Sequence, residues 1–148
     1  MLPHLSILSA SGPELTSYAM LLPFIHAAHA LENRIERALE TVGLSMAKHG
    51  VLTQLLAAEA MPLSELAARL SCVRSNMTQL IDRMEIDGLV QRVPDPSDRR
   101  IVRAEITAHG RERAAAGDAL LRSLETAFAA LLSEREHNVL RHLIARIE

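Results

Sequence analysis

A chain of 148 residues holds one domain with a core of its own and is too short for two well-separated ones. Its apolar share is 49%, yet Tyr18, Phe24 and Phe128 are the only aromatics, so the core is built from Leu, Ile, Val, Met and Ala, a composition that favours helices over sheets. The formal net charge of −2 excludes a uniformly basic nucleic-acid binder but hides its distribution: residues 69–113 hold nine Arg against seven acids, and the rest of the chain is correspondingly acidic.

From the start of the chain, Met1 to Ser11 has no Lys or Arg and only a short apolar run, which makes a poor signal peptide. Phe24, Ala28, Leu31, Ile35, Ala38 and Val42 then recur at alternating spacings of four and three, a seam of coiled-coil type that Gly43 ends. Pro23 either sits in the first turn of that helix or kinks a longer one starting near Pro13, where Ser11 and Glu14 have capping-box spacing. Ser45 caps a helix to about Glu59 with Val51, Leu52, Leu55 and Leu56 as its stripe, and Met61-Pro62 breaks it. Ser64 is expected to cap a short helix from Glu65 to Leu70, with the acid in its first turn.

The next helix, Arg74 to about Asp87, has two unlike faces. At 100° per residue Val73, Met77, Leu80, Ile81 and Met84 fall on the core side, and Ser75, Gln79, Asp82 and Ile86 on the other. Short polar side chains near the helix start allow close approach to base edges. Asp82 suits contact with phosphate poorly, and its expected role is to orient a neighbouring arginine. Gly88 closes the helix as a left-handed cap. Strands follow from Leu89 to Val93 and from Ile101 to Thr107, joined by a turn that Pro94 and Pro96 stiffen and that carries Arg99 and Arg100.

Thr107 caps a long helix to about Leu132, with Leu120, Leu124, Phe128 and Leu131 on one side. Ser133 and Glu136 form a second capping box, ahead of an amphipathic helix bearing Val139, Leu140, Leu143, Ile144 and Ile147. These terminal helices carry more apolar stripe than a small lobe can cover, so they are expected to form a dimer interface. The fold class that follows is mainly α with a small β-hairpin wing: a winged helix-turn-helix over residues 45–107, with dimerisation helices over 14–43 and 108–148, all in a single domain.

With those residues in place, the chain resembles the MarR family of bacterial transcription regulators over nearly its whole length. The matching motifs are Leu63-Ser64-Glu65-Leu66-Ala67, Arg74-Ser75-Asn76-Met77-Thr78, Leu80 to Glu85 with Gly88-Leu89-Val90, Asp95 to Arg100, and Ile106-Thr107 to Gly110. Each is weak alone; their order and spacing together are specific. The resemblance implies a homodimer binding double-stranded DNA at a palindromic operator, controlled by a small-molecule effector and commonly acting as a repressor. Carried over by position, Arg74, Ser75, Asn76, Thr78 and Gln79 face the major groove. Arg100, held by Asp98, enters the minor groove, with Arg99 on the backbone nearby. The bland alternative for Asp98 and Arg100 is a solvated surface pair.

Three departures stand out: Val73 where the family has a capping Ser, His49 where a large aromatic is usual, and Cys72 where a small aliphatic is usual. Cys72 precedes a helix start, which allows either a thiol switch or a small buried hydrophobe. His26 and His29 lie one turn apart; with His49 they could line an effector pocket, or all be ordinary surface histidines, and a metal site is disfavoured. One cysteine excludes an intrachain disulfide, and no paired-Cys spacing for zinc occurs. No nucleophile elbow, phosphate loop or metal-ligand motif is present, so neither an enzyme nor a cofactor is expected. No window reaches a membrane-spanning length free of charge, and the expected compartment is the cytoplasm. The competing function is a winged helix used for protein contacts with DNA binding lost; the other is redox sensing through Cys72.

Overall fold

The computed structural model describes residues 19–147. The first helix, α1 (Leu21–Glu40), places Pro23 in its first turn, where a missing backbone N–H costs nothing. The alternative of a longer helix from near Pro13, capped by Ser11 and Glu14, lies outside the described residues. Gly43, at φ +74°, ends α1, and the Leu44 N–H returns to the Leu39 carbonyl at 3.0 Å, the six-to-one bond of a Schellman stop. Helix α2 (Met46–Ala58) begins where expected, with the Ser45 hydroxyl accepting from the Lys48 N–H.

The sequence reading missed strand β1 (Ala60–Pro62), which pairs antiparallel with β3 (Val102–Ile106), Met61 opposite Ala104. Three residues are too few to show alternation, and Met61-Pro62 registers only as a helix stop. Helix α3 (Leu63–Arg69) starts directly after Pro62, so Ser64 lies inside the first turn and caps nothing. Helix α4 (Arg74–Ile86) follows, then β2 (Val90–Pro94), giving a sheet of order β1-β3-β2. Helices α5 (Ala108–Ala129) and α6 (Glu134–Ile144) complete the chain. Thr107 caps α5 through the Gly110 N–H, and Ser133 with Glu136 forms the expected capping box of α6.

The chain forms two units, Met1–Glu32 and Asn33–Glu148. In the first, the described part of α1 exposes Leu21, Leu22, Phe24 and Ile25. The second contains the core: Leu39, Leu52, Leu55, Met61, Leu66, Met77, Ile81 and Met84 are all essentially inaccessible. Each such side chain contributes about 1.5–3 kcal/mol of burial, so aliphatic and thioether packing replaces the absent aromatics. Two expected core positions are corrected. Leu56 is 38% and Val73 66% exposed, because each stands at the edge of its stripe where no neighbouring element covers it.

Helix α5 meets this core through small residues, Gly110, Ala114 and Gly117, spaced by four and three. A Cβ on Gly117 would lie 2.9 Å from the His49 ring and 3.2 Å from Leu39. On Gly110 it would stand 2.1 Å from the Leu89 carbonyl oxygen. The backbone of α5 therefore comes closer to its neighbours than any side chain allows. Its larger residues Leu120, Leu124 and Phe128 are only half-buried, and α6 has no buried residue at all. Among the described residues no helix is long and apolar enough to cross a membrane.

Candidate nucleic-acid interface

Helix α4 is anchored by Met77, Ile81 and Met84, one turn apart along a single face, all at 0% exposure. Burying that face fixes the rotation of the helix and leaves Arg74, Ser75, Asn76, Thr78 and Gln79 on the surface together. The Thr78 hydroxyl donates to the Arg74 carbonyl at 3.1 Å. Val73 occupies the N-cap without any side-chain bond, so the weak cap read from sequence is present in the structure.

The wing between β2 and β3 is organised by two aspartates. Asp95 Oδ1 accepts from the Ser97 and Asp98 N–H groups at 2.8 and 3.2 Å, while the Asp95 N–H donates to the Ile101 carbonyl. Asp98 accepts from the backbone N–H, Nε and Nη2 of Arg100 at 3.0, 3.0 and 2.8 Å. The Arg100 side chain is 90% exposed, so the forked pair aims a guanidinium at solvent from a fixed base. The bonds from Arg100, side chain first and backbone second, hold the Asp98 carboxyl below the usual carboxylate range. The Ser97 hydroxyl does the same for Asp95. Arg99 stands exposed beside them.

Two arginines that the sequence reading did not single out tie this surface together. Arg92 on β2 donates through Nη2 to Asp82 Oδ1 at 2.6 Å and through Nη1 to Glu85, and its N–H donates to Glu85 Oε1 at 3.1 Å. The acid expected to orient an arginine does so, and the arginine comes from the wing strand. Asp82 and Glu85, three apart on the outer face of α4, were the available signal; the partner's identity needed the sheet. Arg103 on β3 donates to the Ala60 carbonyl at 2.6 Å and reaches Asp95 Oδ2 at 3.5 Å, linking the wing base to β1.

His49 Nε2 shares a hydrogen bond with Asp118 Oδ1 at 2.8 Å, joining α2 to α5 in a half-buried position. Asp118 carried no sequence signal. His26 and His29 belong to the other unit, where both are exposed on α1. Cys72 is partly buried against the core edge, its Sγ donating to the Val73 carbonyl at 3.5 Å. Among the described residues no group of His, Cys, Asp or Glu is placed to hold a metal ion.

Residues 44–102, which span α2 through the wing, match the model of the MarR family. Over 87 residues the chain is 40% identical to the transcriptional activatory protein BadR of Rhodopseudomonas palustris, covering 57% of this chain and 50% of that one. It is 44% identical over 50 residues to the uncharacterized HTH-type transcriptional regulator YsmB of Bacillus subtilis, 34% of each chain. These matches span about a third to a half of the length of the relatives. Among solved structures, a MarR mutant from E. coli complexed with operator DNA superposes with a TM-score of 0.77 at 22% identity, covering 92% of this chain and 99% of that one. YusO from Bacillus subtilis gives 0.71 at 21% identity, over 93% and 97%. At those identities the likeness is one of fold.

Proposed function

We propose that this chain, whose residues 44–102 match the model of the MarR family, is a sequence-specific DNA-binding transcription regulator. It acts as a ligand-responsive homodimer on a palindromic operator, in the sense of a repressor. The observation that carries this reading is the pairing of two exposed surfaces on one rigid base. The polar start of α4 (Arg74, Ser75, Asn76, Thr78, Gln79) stands free of packing, and Arg92 ties that helix to the strand leading into the wing that carries Arg99 and Arg100.

Each surface has a distinct task in this reading. Ser75, Asn76 and Gln79 offer donors and acceptors to base edges in a major groove. Arg100, held by Asp98, enters the adjacent minor groove, where a narrow groove concentrates negative potential. Arg74 and Arg99 neutralise phosphate. The MarR neighbour in complex with operator DNA has this fold, which supports the docking mode.

Self-association is supported by apolar surface in both units. In the first, α1 exposes Leu22, Phe24 and Ile25; in the second, α6 and its flanks expose Leu131, Val139, Leu143 and Ile147. Apolar side chains exposed at helical spacing are what a second copy covers. Two copies place two α4 helices on half-sites about one helical turn apart. Response to a small-molecule effector remains part of the proposal.

Selection of bound sequences from a random DNA pool tests the central claim. The expected result is an enriched palindrome bound by a dimer, with affinity falling as salt rises. Recovery of no enriched sequence, or a monomer in dilute solution, overturns it, and a protein-contact surface, for which neutralising Arg99 and Arg100 changes partner binding alone, becomes the better reading.

A further inference from the structure

On the outer face of α4 the side chains of Asn76, Gln79 and Arg83 form one stripe, spaced by three and four residues and all exposed. At about 100° per residue they fall within an arc of about 60°, turned away from the buried row Met77, Ile81 and Met84. Among the described residues none of these three side chains has a hydrogen-bond or ion-pair partner. For Arg83 that freedom has a structural cause, because every acid that could reach it along its own helix is committed to another cation. Asp82 and Glu85 are taken by Arg92, and Asp87, one turn further on, by Lys48 at 2.8 Å. Arg100 and Arg103, by contrast, are each held by a carboxylate. Thr78 spends its hydroxyl proton on the Arg74 carbonyl, and Ser75 can donate or accept and so discriminates little between bases.

We propose that Arg83 is a specificity-determining residue that reads guanine, with Asn76 and Gln79 reading adenines, so that each half-site carries two A·T pairs and then a G·C pair within about four consecutive base pairs. This assignment rests on the DNA-binding reading above. A guanidinium donates two parallel bonds to guanine O6 and N7, and a carboxamide donates to N7 of adenine while accepting from its N6 amine. Seven residues of helix rise about 10 Å, which matches three steps of B-DNA at about 3.4 Å each. The amides lie toward the start of α4 and the guanidinium toward its end, and that sets the order of the bases. Direction separates Arg83 from a phosphate contact. It lies about 40° round the helix from Gln79 and shares its outlook, whereas Arg74 lies about 140° away, on the flank.

Selection from a random DNA pool by the full chain, followed by fluorescence-anisotropy titration of the enriched duplex, tests the assignment. Two adenines and a guanine, in that order and on either strand, are expected within about four base pairs of each half-site. Replacing that guanine by 7-deazaguanine removes only the N7 acceptor in the major groove. Binding should weaken about tenfold in the original chain and by less than about twofold in Arg83→Ala. Arg83→Gln should move the preference at the same position from guanine to adenine, with circular dichroism confirming that both variants stay folded. If R83A weakens all sequences alike and keeps the guanine preference, Arg83 is a phosphate contact and its assignment is overturned. An enriched palindrome without that guanine, or indifference of the original chain to 7-deazaguanine, overturns it as well and leaves the DNA-binding reading standing. If no sequence is enriched, the regulator reading fails and takes this assignment with it.

Discussion

Arg92 and Asp82 meet at 2.6 Å across the gap between strand β2 and the outer face of α4, so the wing and the helix assigned to the major groove are held as one body. Glu85 completes the clamp from one turn further along the helix. The Arg92 side chain is 26% exposed, which shields it more than an ordinary surface pair. Replacing Arg92 by Met should cost about 1–2 kcal/mol in urea denaturation. Operator affinity should fall by more than the lost charge explains, because helix and wing no longer present a fixed angle. A double-mutant cycle with Asp82→Asn should show coupling between the two positions.

Arg100→Ala should leave the melting temperature nearly unchanged, since the side chain is almost wholly exposed. DNA affinity should drop across all sequences, and the slope of log affinity against log salt should shrink by about one per half-site. Gln79→Ala, by contrast, should relax base preference at one position of each half-site. Operator titrations at several salt concentrations separate the two.

Gly110→Ala should be among the most damaging single-methyl additions in the chain. Its Cβ would stand 2.1 Å from a backbone oxygen of Leu89, which cannot rotate away. A loss of about 1–3 kcal/mol is expected. Gly117→Ala should cost less, because its contacts are side-chain atoms of His49, Leu44 and Leu39. Thermal denaturation of the two variants ranks them.

Val73→Ser supplies the hydroxyl that the N-cap of α4 lacks, and the position is 66% exposed, so no core packing is lost. A gain of about 1 kcal/mol in unfolding free energy is expected. No gain would mean that water already serves those N–H groups as well as a hydroxyl does.

Acid should disarm the wing without unfolding the lobe. Asp98 and Asp95 both have carboxyls held below their ordinary range, by Arg100 and Ser97 respectively. A depressed carboxylate contributes its stabilisation above the unfolded-state value and loses it as pH falls through the lower, folded-state one. The Arg100 fork should therefore persist at neutral and mildly acidic pH and open only below the usual carboxylate range. The Asp98 carboxyl resonance, followed by NMR, should titrate late in the original chain and near the ordinary value in Arg100→Ala.

How far the sequence reached depended on whether a feature was local. The caps at Ser45, Thr107 and Ser133, the left-handed stop at Gly88 and the inward row Met77-Ile81-Met84 all involve residues within a few positions of each other, whereas the Asp98–Arg100 fork was implied by the family resemblance. Propensity, periodicity and turn chemistry express such features directly. Ser64 is the local failure. Its hydroxyl looked like a cap, but pairing of Met61 and Pro62 with β3 delivers the chain into α3 two residues early.

Long-range features were decided only by tertiary structure. Strand β1 exists because β3 lies beside it, and Leu39 enters the core because the α1–α2 turn folds back on it. Glycines at 110 and 117 mark where α5 nearly touches its neighbours, and Arg92 finds Asp82 only once β2 is laid against α4. By itself the sequence determined which segments are helices, which face of α4 stays free, and that a basic turn follows it. The meeting of that face with the wing, and of Lys48 on α2 with Asp87 at the end of α4, depends on contacts between residues 10 and 39 positions apart, and no local pattern encodes which partner closes such a loop.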